Sequence, residues 1–276
     1  MRPAAAGADG PLLECREVSK HFGALAAVDG ISFAMRPGEI LGVAGPNGAG
    51  KTTLFDVISG LQPISGGHIR FAGREIGGAE PEDICHLGLT RTFQLNAAFE
   101  TMTVQENIEV AAYFGARRRQ IPGLGRGRDT RRRARDALSL VGLEDKRFQP
   151  AATLPVVDRK LLMIGSAMAC EPKLILLDEP IGGLNAEETA TVKALLVRIR
   201  DRGVSLIVIE HVMHFLMTLA DRLLVMHHGA QLFEGSAAEL LADDRVVRLY
   251  LGRQAAERLR SEGLGAGAAG AGEAAP

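Results

Sequence analysis

The fold of this chain is decided by residues 45–53, which read Gly45-Pro46-Asn47-Gly48-Ala49-Gly50-Lys51-Thr52-Thr53. This stretch fits GxxxxGK[ST] and lies between an apolar run, Ile40–Ala44, and a helical pattern that begins at Thr53. Glycines let the backbone fold closely around phosphate oxygens, and consecutive N–H groups at a helix N-terminus bind the anion. In this arrangement Lys51 reaches the β- and γ-phosphates, and the Thr52 hydroxyl can bind Mg²⁺. The stretch therefore predicts a nucleotide site on a strand–loop–helix unit.

An acidic motif follows downstream and reads Leu174-Ile175-Leu176-Leu177-Asp178-Glu179-Pro180. Its four apolar residues predict a buried strand that delivers Asp178 to the end of the strand beside the phosphate loop, where the carboxylate can hold Mg²⁺. Glu179 then lies next to the γ-phosphate, placed to orient and polarise a water molecule. A hydrophobic run that ends in Asp-Glu is weak evidence alone, but its position after a phosphate loop makes the combination specific.

The rest of the chain alternates short apolar runs with helical patterns. Residues 204–209 predict another buried strand, and antiparallel strands are predicted in residues 12–35 with 68–71 and in residues 222–233, where His228-Gly229 suits a hairpin turn. The middle third is helical and rich in Ala, Arg and Leu. We therefore expect an α/β fold with an antiparallel β subdomain and an inserted helical subdomain at roughly residues 96–168.

Composition narrows the class of protein. The chain has 276 residues, of which 46% are hydrophobic, and its 32 Lys and Arg against 33 Asp and Glu give no charge imbalance typical of a nucleic-acid binder. No apolar stretch is long enough to span a membrane, and three cysteines without a CxxC pair indicate a reducing compartment. Cys170, in an apolar helical pattern, is expected to be buried and inert. Residues 1–10 are expected to be a flexible N-terminus, and residues 253–276 a C-terminal extension with a disordered Gly/Ala tail.

With these motifs in view, residues 12–252 resemble the ATP-binding subunits of ABC transporters, which have the RecA-like core of P-loop NTPases. The resemblance implies an ABC ATP-binding domain at residues 11–252. Phe22 matches the aromatic residue that stacks on adenine, and Gln94 matches the glutamine that touches Mg²⁺ or water and links the core to the helical subdomain. His211 matches the switch histidine that contacts the γ-phosphate, although a histidine at a strand end is by itself more often structural.

Within that family, several stretches are similar to the ATPases of branched-chain amino acid importers, among them residues 88–94, residues 102–107 and the ending at residues 247–252. The resemblance implies an ATP-hydrolysing subunit that uses ATP and Mg²⁺ and sits peripherally on the cytoplasmic face of the membrane. Its implied partners are transmembrane permease subunits, a second ATPase subunit and, indirectly, an extracytoplasmic substrate-binding protein, with no nucleic acid. The alternatives are a non-transport ABC ATPase that acts on ribosomes or DNA, and a regulatory ATP-binding subunit with weak hydrolysis.

The chain departs from the family at the signature LSGGQ, which one subunit presents to the phosphate loop of the other. Without gaps, the signature falls on Leu154-Pro155-Val156-Val157-Asp158, where only Leu154 agrees. Pro155 lacks the hydroxyl and the N–H of the family's serine, although proline suits a first helical position. Either the valine N–H groups still donate to the γ-phosphate, or the chain works in an asymmetric heterodimer whose second site turns over slowly. The loss of an aligned donor favours the asymmetric heterodimer.

Nine arginines lie within residues 117–135, against the single acid Asp129. This run could contact anionic lipid headgroups beside a permease. The simpler interpretation is a solvated helical face, which such runs usually are. Nucleic acid is disfavoured because no aromatic residues are interleaved for stacking on bases.

Overall fold

The computed structural model describes residues 10–92, 98–115 and 127–262, apart from the side chain of Arg253. Gln94, the first half of the Arg-rich run, residues 1–9 and the predicted Gly/Ala tail lie outside the described residues.

Strands and helices alternate along most of the chain. The strands are β1 (Leu13–Phe22), β2 (Leu25–Met35), β3 (Ile40–Ala44), β4 (Gly66–Phe71), β5 (Arg74–Glu75), β6 (Leu89–Arg91), β7 (Leu174–Asp178), β8 (Ser205–Ile209), β9 (Arg222–His227) and β10 (Ala230–Gly235). The helices are α1 (Lys51–Ile58), α2 (Pro81–Leu87), α3 (Val104–Phe114), α4 (Arg128–Val141), α5 (Val156–Ala169), α6 (Ala186–Asp201), α7 (Met213–Leu219), α8 (Ala237–Ala242), α9 (Asp244–Val246) and α10 (Arg253–Ser261).

Among the described residues, the central sheet has the strand order β10-β9-β3-β8-β7-β6, and its five strands from β9 to β6 run parallel. Every residue of β3 and β8 is buried. Their side chains alternate between two hydrophobic cores, one on each face of the sheet, which is why these strands are continuous apolar runs. The predicted parallel strands are thus confirmed.

A second, antiparallel sheet covers one face of the first, in the order β2-β1-β4-β5. α1 lies in the core between the two sheets and buries Leu54, Phe55, Val57 and Ile58 there. This confirms the predicted antiparallel subdomain. It also fixes α1, and therefore the phosphate loop that precedes it, against both sheets.

Three described helices, α3, α4 and α5, pack on the other face as a helical lobe. α3 begins with a capping box in which Thr103 and Glu106 each accept the other's backbone N–H. Close packing depends on Gly165 of α5, because a Cβ atom there would lie 3.2 Å from Val141 and 3.3 Å from Ile108. A helical lobe thus accompanies the α/β core, as the predicted fold class requires.

The C-terminal part returns to the main core. β9 and β10 form the predicted hairpin through His228 and Gly229, whose φ angles of 50° and 82° suit a tight two-residue turn. Further on, α10 buries Ala256 and Leu259 in the core of the helical face. The extension predicted after residue 252 therefore starts as a packed helix. Among the described residues, no helix is both long and apolar enough to cross a membrane.

Candidate functional site

The phosphate loop joins β3 to α1 and runs close to neighbouring backbone. Gly50 has a φ of 96°, and a Cβ atom there would lie 2.1 Å from the carbonyl oxygen of Ala27. Gly45 has a φ of 150°, and its Cβ atom would lie 2.3 Å from the carbonyl oxygen of Met226. The path of the loop therefore requires glycine at both positions.

Lys51 lies at the start of α1, whose N-terminus no described side chain caps. Its Nζ donates hydrogen bonds to the carbonyl oxygens of Gly45, at 2.8 Å, and Pro46, at 2.9 Å. Burial lowers the pKa of Lys51, while the nearby carboxylates of Glu179 and Asp178 act against that shift. An uncapped helix N-terminus and a partly desolvated cation meet at one loop, an arrangement that fits a phosphate group.

A cavity of about 550 Å³ opens beside this loop. It is lined by residues 47–53 of the loop and α1, by Phe22 at the end of β1, and by Glu179. Phe22 is 48% exposed, with the Lys20 ammonium 4.9 Å from its ring centroid. Aromatic, phosphate-binding and acidic residues predicted from separate motifs therefore face one space large enough for a nucleotide.

Asp178 ends β7 beside α1, and its carboxylate is held by Arg91. Arg91 Nη2 lies 3.5 Å from Asp178 Oδ2, and Arg91 Nη1 lies 2.6 Å from Asp56 Oδ1 in α1. The side chains of Arg91 and Asp178 are only 7% and 6% exposed. Burial raises the pKa of Asp178, and the charge of Arg91 counteracts it. Arg91 thus ties the end of β7 to α1.

Glu179 follows with a left-handed backbone, at a φ of 48°, which is unfavourable for a residue other than glycine. Three hydrogen bonds hold this conformation. The Glu179 N–H donates to the carbonyl oxygen of Ile209 at 3.0 Å, and the Glu179 carbonyl oxygen accepts from Lys160 Nζ at 2.7 Å and from the Gly182 N–H at 3.2 Å. The strained turn directs the side chain of Glu179 to the nucleotide cavity.

His211 lies just beyond β8, with its side chain 60% exposed. The residue before it, Glu210, is fully buried, and its Oε1 accepts the N–H of Ile181 at 2.9 Å. Glu210 Oε2 lies 3.8 Å from His211 Nδ1, beyond hydrogen-bond distance. Burial raises the pKa of Glu210, and the hydrogen bond from Ile181 and the neighbouring His211 counteract this. Glu210 therefore joins the segment after Glu179 to the strand that carries His211.

The degenerate signature segment forms the start of α5. Pro155 is exposed and is the N-cap residue, with a ψ of 160°, one position earlier than the first helical position considered from the sequence. Val156 and Val157 are half-buried in the first turn. Leu154 and Asp158 are buried, and the carboxylate of Asp158 pairs with Lys146. A helix N-terminus is therefore preserved without the serine hydroxyl.

Sequence reasoning missed three residues of the site. Arg91, Lys160 and Glu210 touch Asp178, Glu179 and the segment beside it, yet no motif spacing marks them, because each acts through a tertiary contact. The loop at residues 182–185 follows Glu179, and Asn185 caps α6 by accepting the N–H of Glu188. Gln94 lies outside the described residues.

These features define an ATPase of the ATP-binding cassette class: a phosphate loop, an acidic strand end and a helical lobe on a RecA-like sheet. The family model described as ABC transporter matches residues 28–182, and the chain belongs to this family. The resemblance seen in the sequence is thereby confirmed.

Relatives match nearly the whole chain. BraF of Pseudomonas aeruginosa, a high-affinity branched-chain amino acid transport ATP-binding protein, is 34% identical over 88% of this chain and 98% of its own length. LivG of Escherichia coli K12, described in the same words, is 33% identical over the same shares. Among solved structures, the ADP conformation of an ATP-binding cassette of an ABC transporter aligns with a TM-score of 0.79 at 29% identity, covering 88% of this chain and 99% of the other.

Proposed function

We propose that this chain binds and hydrolyses ATP as the motor subunit of an importer for branched-chain or related amino acids. The observation that carries the proposal is similarity to BraF over 88% of this chain and 98% of that protein. The cavity that joins the phosphate loop to Glu179 supplies the chemistry. The two features together support a working motor subunit.

We assign nucleotide binding to residues that line the cavity or adjoin it in the phosphate loop, and to Gln94, which lies outside the described residues, by its resemblance to the family's glutamine. Phe22 would stack on the adenine, and Lys51 would leave its two carbonyl partners to reach the β- and γ-phosphates. The other proposed ATP-binding residues are Gly45, Pro46, Asn47, Gly48, Ala49, Gly50, Thr52, Thr53 and Gln94. Thr52, Asp178 and Gln94 would hold Mg²⁺, which when bound neutralises charge on the phosphate oxygens.

In hydrolysis, Glu179 would orient and polarise the attacking water, and His211 would contact the γ-phosphate. The three hydrogen bonds that hold the backbone of Glu179 keep its carboxylate in place before nucleotide arrives. Lys160 contributes one of these bonds, so it acts as a positioning residue for Glu179.

The second ATPase subunit is proposed to be a different chain. In this heterodimer the present chain supplies a complete loop, Asp178 and Glu179 to one site, while the other site receives the segment Leu154–Asp158 in place of a standard signature. Loss of an aligned donor to the γ-phosphate commonly costs about ten- to a thousand-fold in rate. A homodimer would have two such impaired sites, which favours the heterodimer.

The permease is proposed to dock in a groove between the helical lobe and the core, which places the chain peripherally on the cytoplasmic face of the membrane. A cavity of about 300 Å³ there is lined by Phe99 and Val110 from the lobe, by Leu162 of α5, and by Leu61 and Pro81 from the core. Its lining is mainly apolar and 53% of Phe99 is exposed, so it suits an amphipathic helix of the permease. An extracytoplasmic binding protein would act indirectly, through the permease.

Steady-state ATP turnover tests the motor assignment. The purified chain is measured alone, with candidate partner ATPases, and with both partner and permease in proteoliposomes, with Glu179→Gln as the blank. We expect turnover to rise with the partner and permease, and leucine uptake to require all components. Turnover that depends on ribosomes or DNA would overturn the transport assignment, and uptake of urea or short amides in place of leucine would overturn the cargo.

A triple substitution, Pro155→Ser with Val156→Gly and Val157→Gly, tests the asymmetry. In the assembled transporter we expect turnover to rise, because the second site regains a donor to the γ-phosphate. Unchanged turnover, or full activity of the unmodified chain alone, would show that the natural segment already works as a signature.

A further inference from the structure

Two of the three cysteines of the chain meet between the helical lobe and the core. Cys85 lies in α2, and Cys170 directly follows α5. Both thiols donate to carbonyl oxygens at the C-terminal end of α3: Cys170 Sγ to that of Ala111 at 3.5 Å, and Cys85 Sγ to that of the C-cap residue Gly115 at 3.8 Å. The thiols therefore converge on one helix end.

Gly115 makes room for this meeting, because a Cβ atom there would lie 2.1 Å from Cys170 Sγ. Both sulfur atoms therefore lie beside Gly115. At this position the neighbouring Cys170 thiol lowers the pKa of Cys85, against the effect of its burial, while the Cys85 thiol and burial raise the pKa of Cys170. A thiol with a lowered pKa is the more easily oxidised one, and a second thiol beside it can resolve the product once it gives up its proton.

The pair can be reached by small reagents. Cys85 and Cys170 both line the cavity of about 300 Å³ between lobe and core, and neither is fully buried. Cys15 provides the contrast within the same chain: it is 1% exposed in the core between the two sheets, and burial raises the pKa of its thiol. The structure thus separates one shielded cysteine from an accessible pair. This corrects the expectation that Cys170 is buried, because its burial is only intermediate.

We propose that Cys85 and Cys170 form an oxidative modification site that hydrogen peroxide converts to an intramolecular disulfide. The Cys85 thiolate attacks one peroxide oxygen, the O–O bond breaks, and hydroxide leaves as Cys85 becomes a sulfenic acid. The sulfur of Cys170 then attacks the Cys85 sulfur, the S–O bond breaks, and the proton of Cys170 leaves with the hydroxide as water. Two thiols lose two electrons in total, and one peroxide is reduced to two waters.

The disulfide would join α2 of the core to the end of α5, on the wall of the groove that the lobe and the core share. Its formation does not depend on the proposed function. Its consequence for transport does, because the same groove is the proposed docking site of the permease. Oxidation is expected to hold this groove in one shape and to weaken the response of ATP turnover to the permease.

Peptide mapping of the full chain tests the chemistry. The protein is treated with hydrogen peroxide, free thiols are blocked with N-ethylmaleimide, and the digest is analysed by mass spectrometry with and without dithiothreitol. We expect a dithiothreitol-sensitive peptide that links Cys85 to Cys170 within one chain, while Cys15 stays reduced. Cys15→Ala is the matched control and should leave the linkage unchanged.

The single variants test the order of the steps. Cys170→Ser is expected to accumulate a sulfenic acid at Cys85 that dimedone traps, whereas Cys85→Ser should leave Cys170 largely unlabelled. The proposal is overturned if wild type forms no linked peptide at peroxide concentrations that give dimedone labelling of Cys170→Ser, or if the linkage forms only between chains.

Transport is measured separately, as permease-stimulated ATP turnover before and after oxidation. Failure of stimulation in the reduced protein would count against the proposed function and leave the linked peptide standing. Unchanged stimulation in fully oxidised protein would overturn the expected consequence alone.

Discussion

Arg91 is predicted to be the residue whose removal most disturbs the acidic end of β7. Its guanidinium lies 3.5 Å from the carboxylate of Asp178, and at an effective dielectric constant of about 20 this pair interacts by roughly 5 kcal/mol. Arg91→Met keeps an unbranched apolar stem in place of the arginine's and leaves Asp178 buried without this cation. Loss of one partner of a buried pair typically destabilises a fold by about 3–5 kcal/mol. We expect a loss of that size in the free energy of unfolding.

Equilibrium unfolding in urea measures this loss, with Arg132→Met as the matched control. Arg132 Nη2 lies 2.6 Å from Asp129 Oδ1, the same distance as Arg91 Nη1 from Asp56 Oδ1, but the side chain of Arg132 is 57% exposed. Solvent screens such a pair, so the control should shift the urea midpoint little. Equal shifts in the two variants would refute the claim that burial gives Arg91 its effect.

The pH dependence of folding stability gives a second test of the pairing between Arg91 and Asp178. Because burial raises the pKa of Asp178 above that of the unfolded chain, the folded state binds this proton more tightly. Stability from this group is complete below the unfolded pKa, of about 3.9, and is lost as the pH rises through the folded pKa. Arg91→Met should raise the pKa of Asp178 in the folded state further, so the contribution of Asp178 to stability should persist to higher pH. A variant whose stability falls with pH as in wild type would contradict the pairing of Arg91 with Asp178.

Three further substitutions probe the site and its support. Glu179→Gln should retain ATP binding, measured with a fluorescent ATP analogue, and lose turnover by about a hundred- to ten-thousand-fold, measured by phosphate release. Loss of binding together with turnover would contradict a role for Glu179 in hydrolysis alone. Gly50→Ala should abolish that binding, because its Cβ atom would meet a carbonyl oxygen at 2.1 Å. At Gly48 no atom lies within 4 Å of a Cβ atom, so the matched variant Gly48→Ala is strained only by its φ angle. Gly48→Ala should therefore bind the ATP analogue more tightly than Gly50→Ala. Leu177→Ala, at a fully buried position of β7, should lower the free energy of unfolding by about 2–5 kcal/mol in urea titrations, and Leu249→Ala, at a position 56% exposed, should cost much less.

The fold was predictable where neighbouring residues along the chain determine it. The apolar run before Gly45 and the run that ends in Asp178 each specify a strand locally, and the order of strand, loop and helix follows from the glycine pattern. His228 and Gly229 likewise predicted their hairpin, because a two-residue turn requires φ angles that few residues adopt. These features need no knowledge of what lies across the core.

The contacts that support the site could not be predicted, because they join residues that are distant in the sequence. Arg91 reaches Asp178 and Asp56 only after β6 pairs with β7 and α1 packs beside them, and Glu210 reaches Ile181 only because β8 pairs with β7. Cys85 and Cys170 have no motif spacing, and their meeting depends on the missing side chain of Gly115. Such contacts depend on the packed fold, where side chains distant in sequence share one space.

The start of α5 bears most directly on how unequal the two sites of the proposed heterodimer would be. Pro155 removes a hydroxyl but occupies the N-cap, so the N–H groups of Val156 and Val157 remain in the first turn at the positive end of the helix dipole. Asp158 would bring a negative charge toward a phosphate there, yet its carboxylate is buried and paired with Lys146, which offsets that charge. The segment therefore keeps the field of a helix N-terminus and loses one aligned donor. A site built this way should bind ATP and hydrolyse it slowly, so the asymmetry we propose lies in the rate of turnover more than in the occupancy of the two sites.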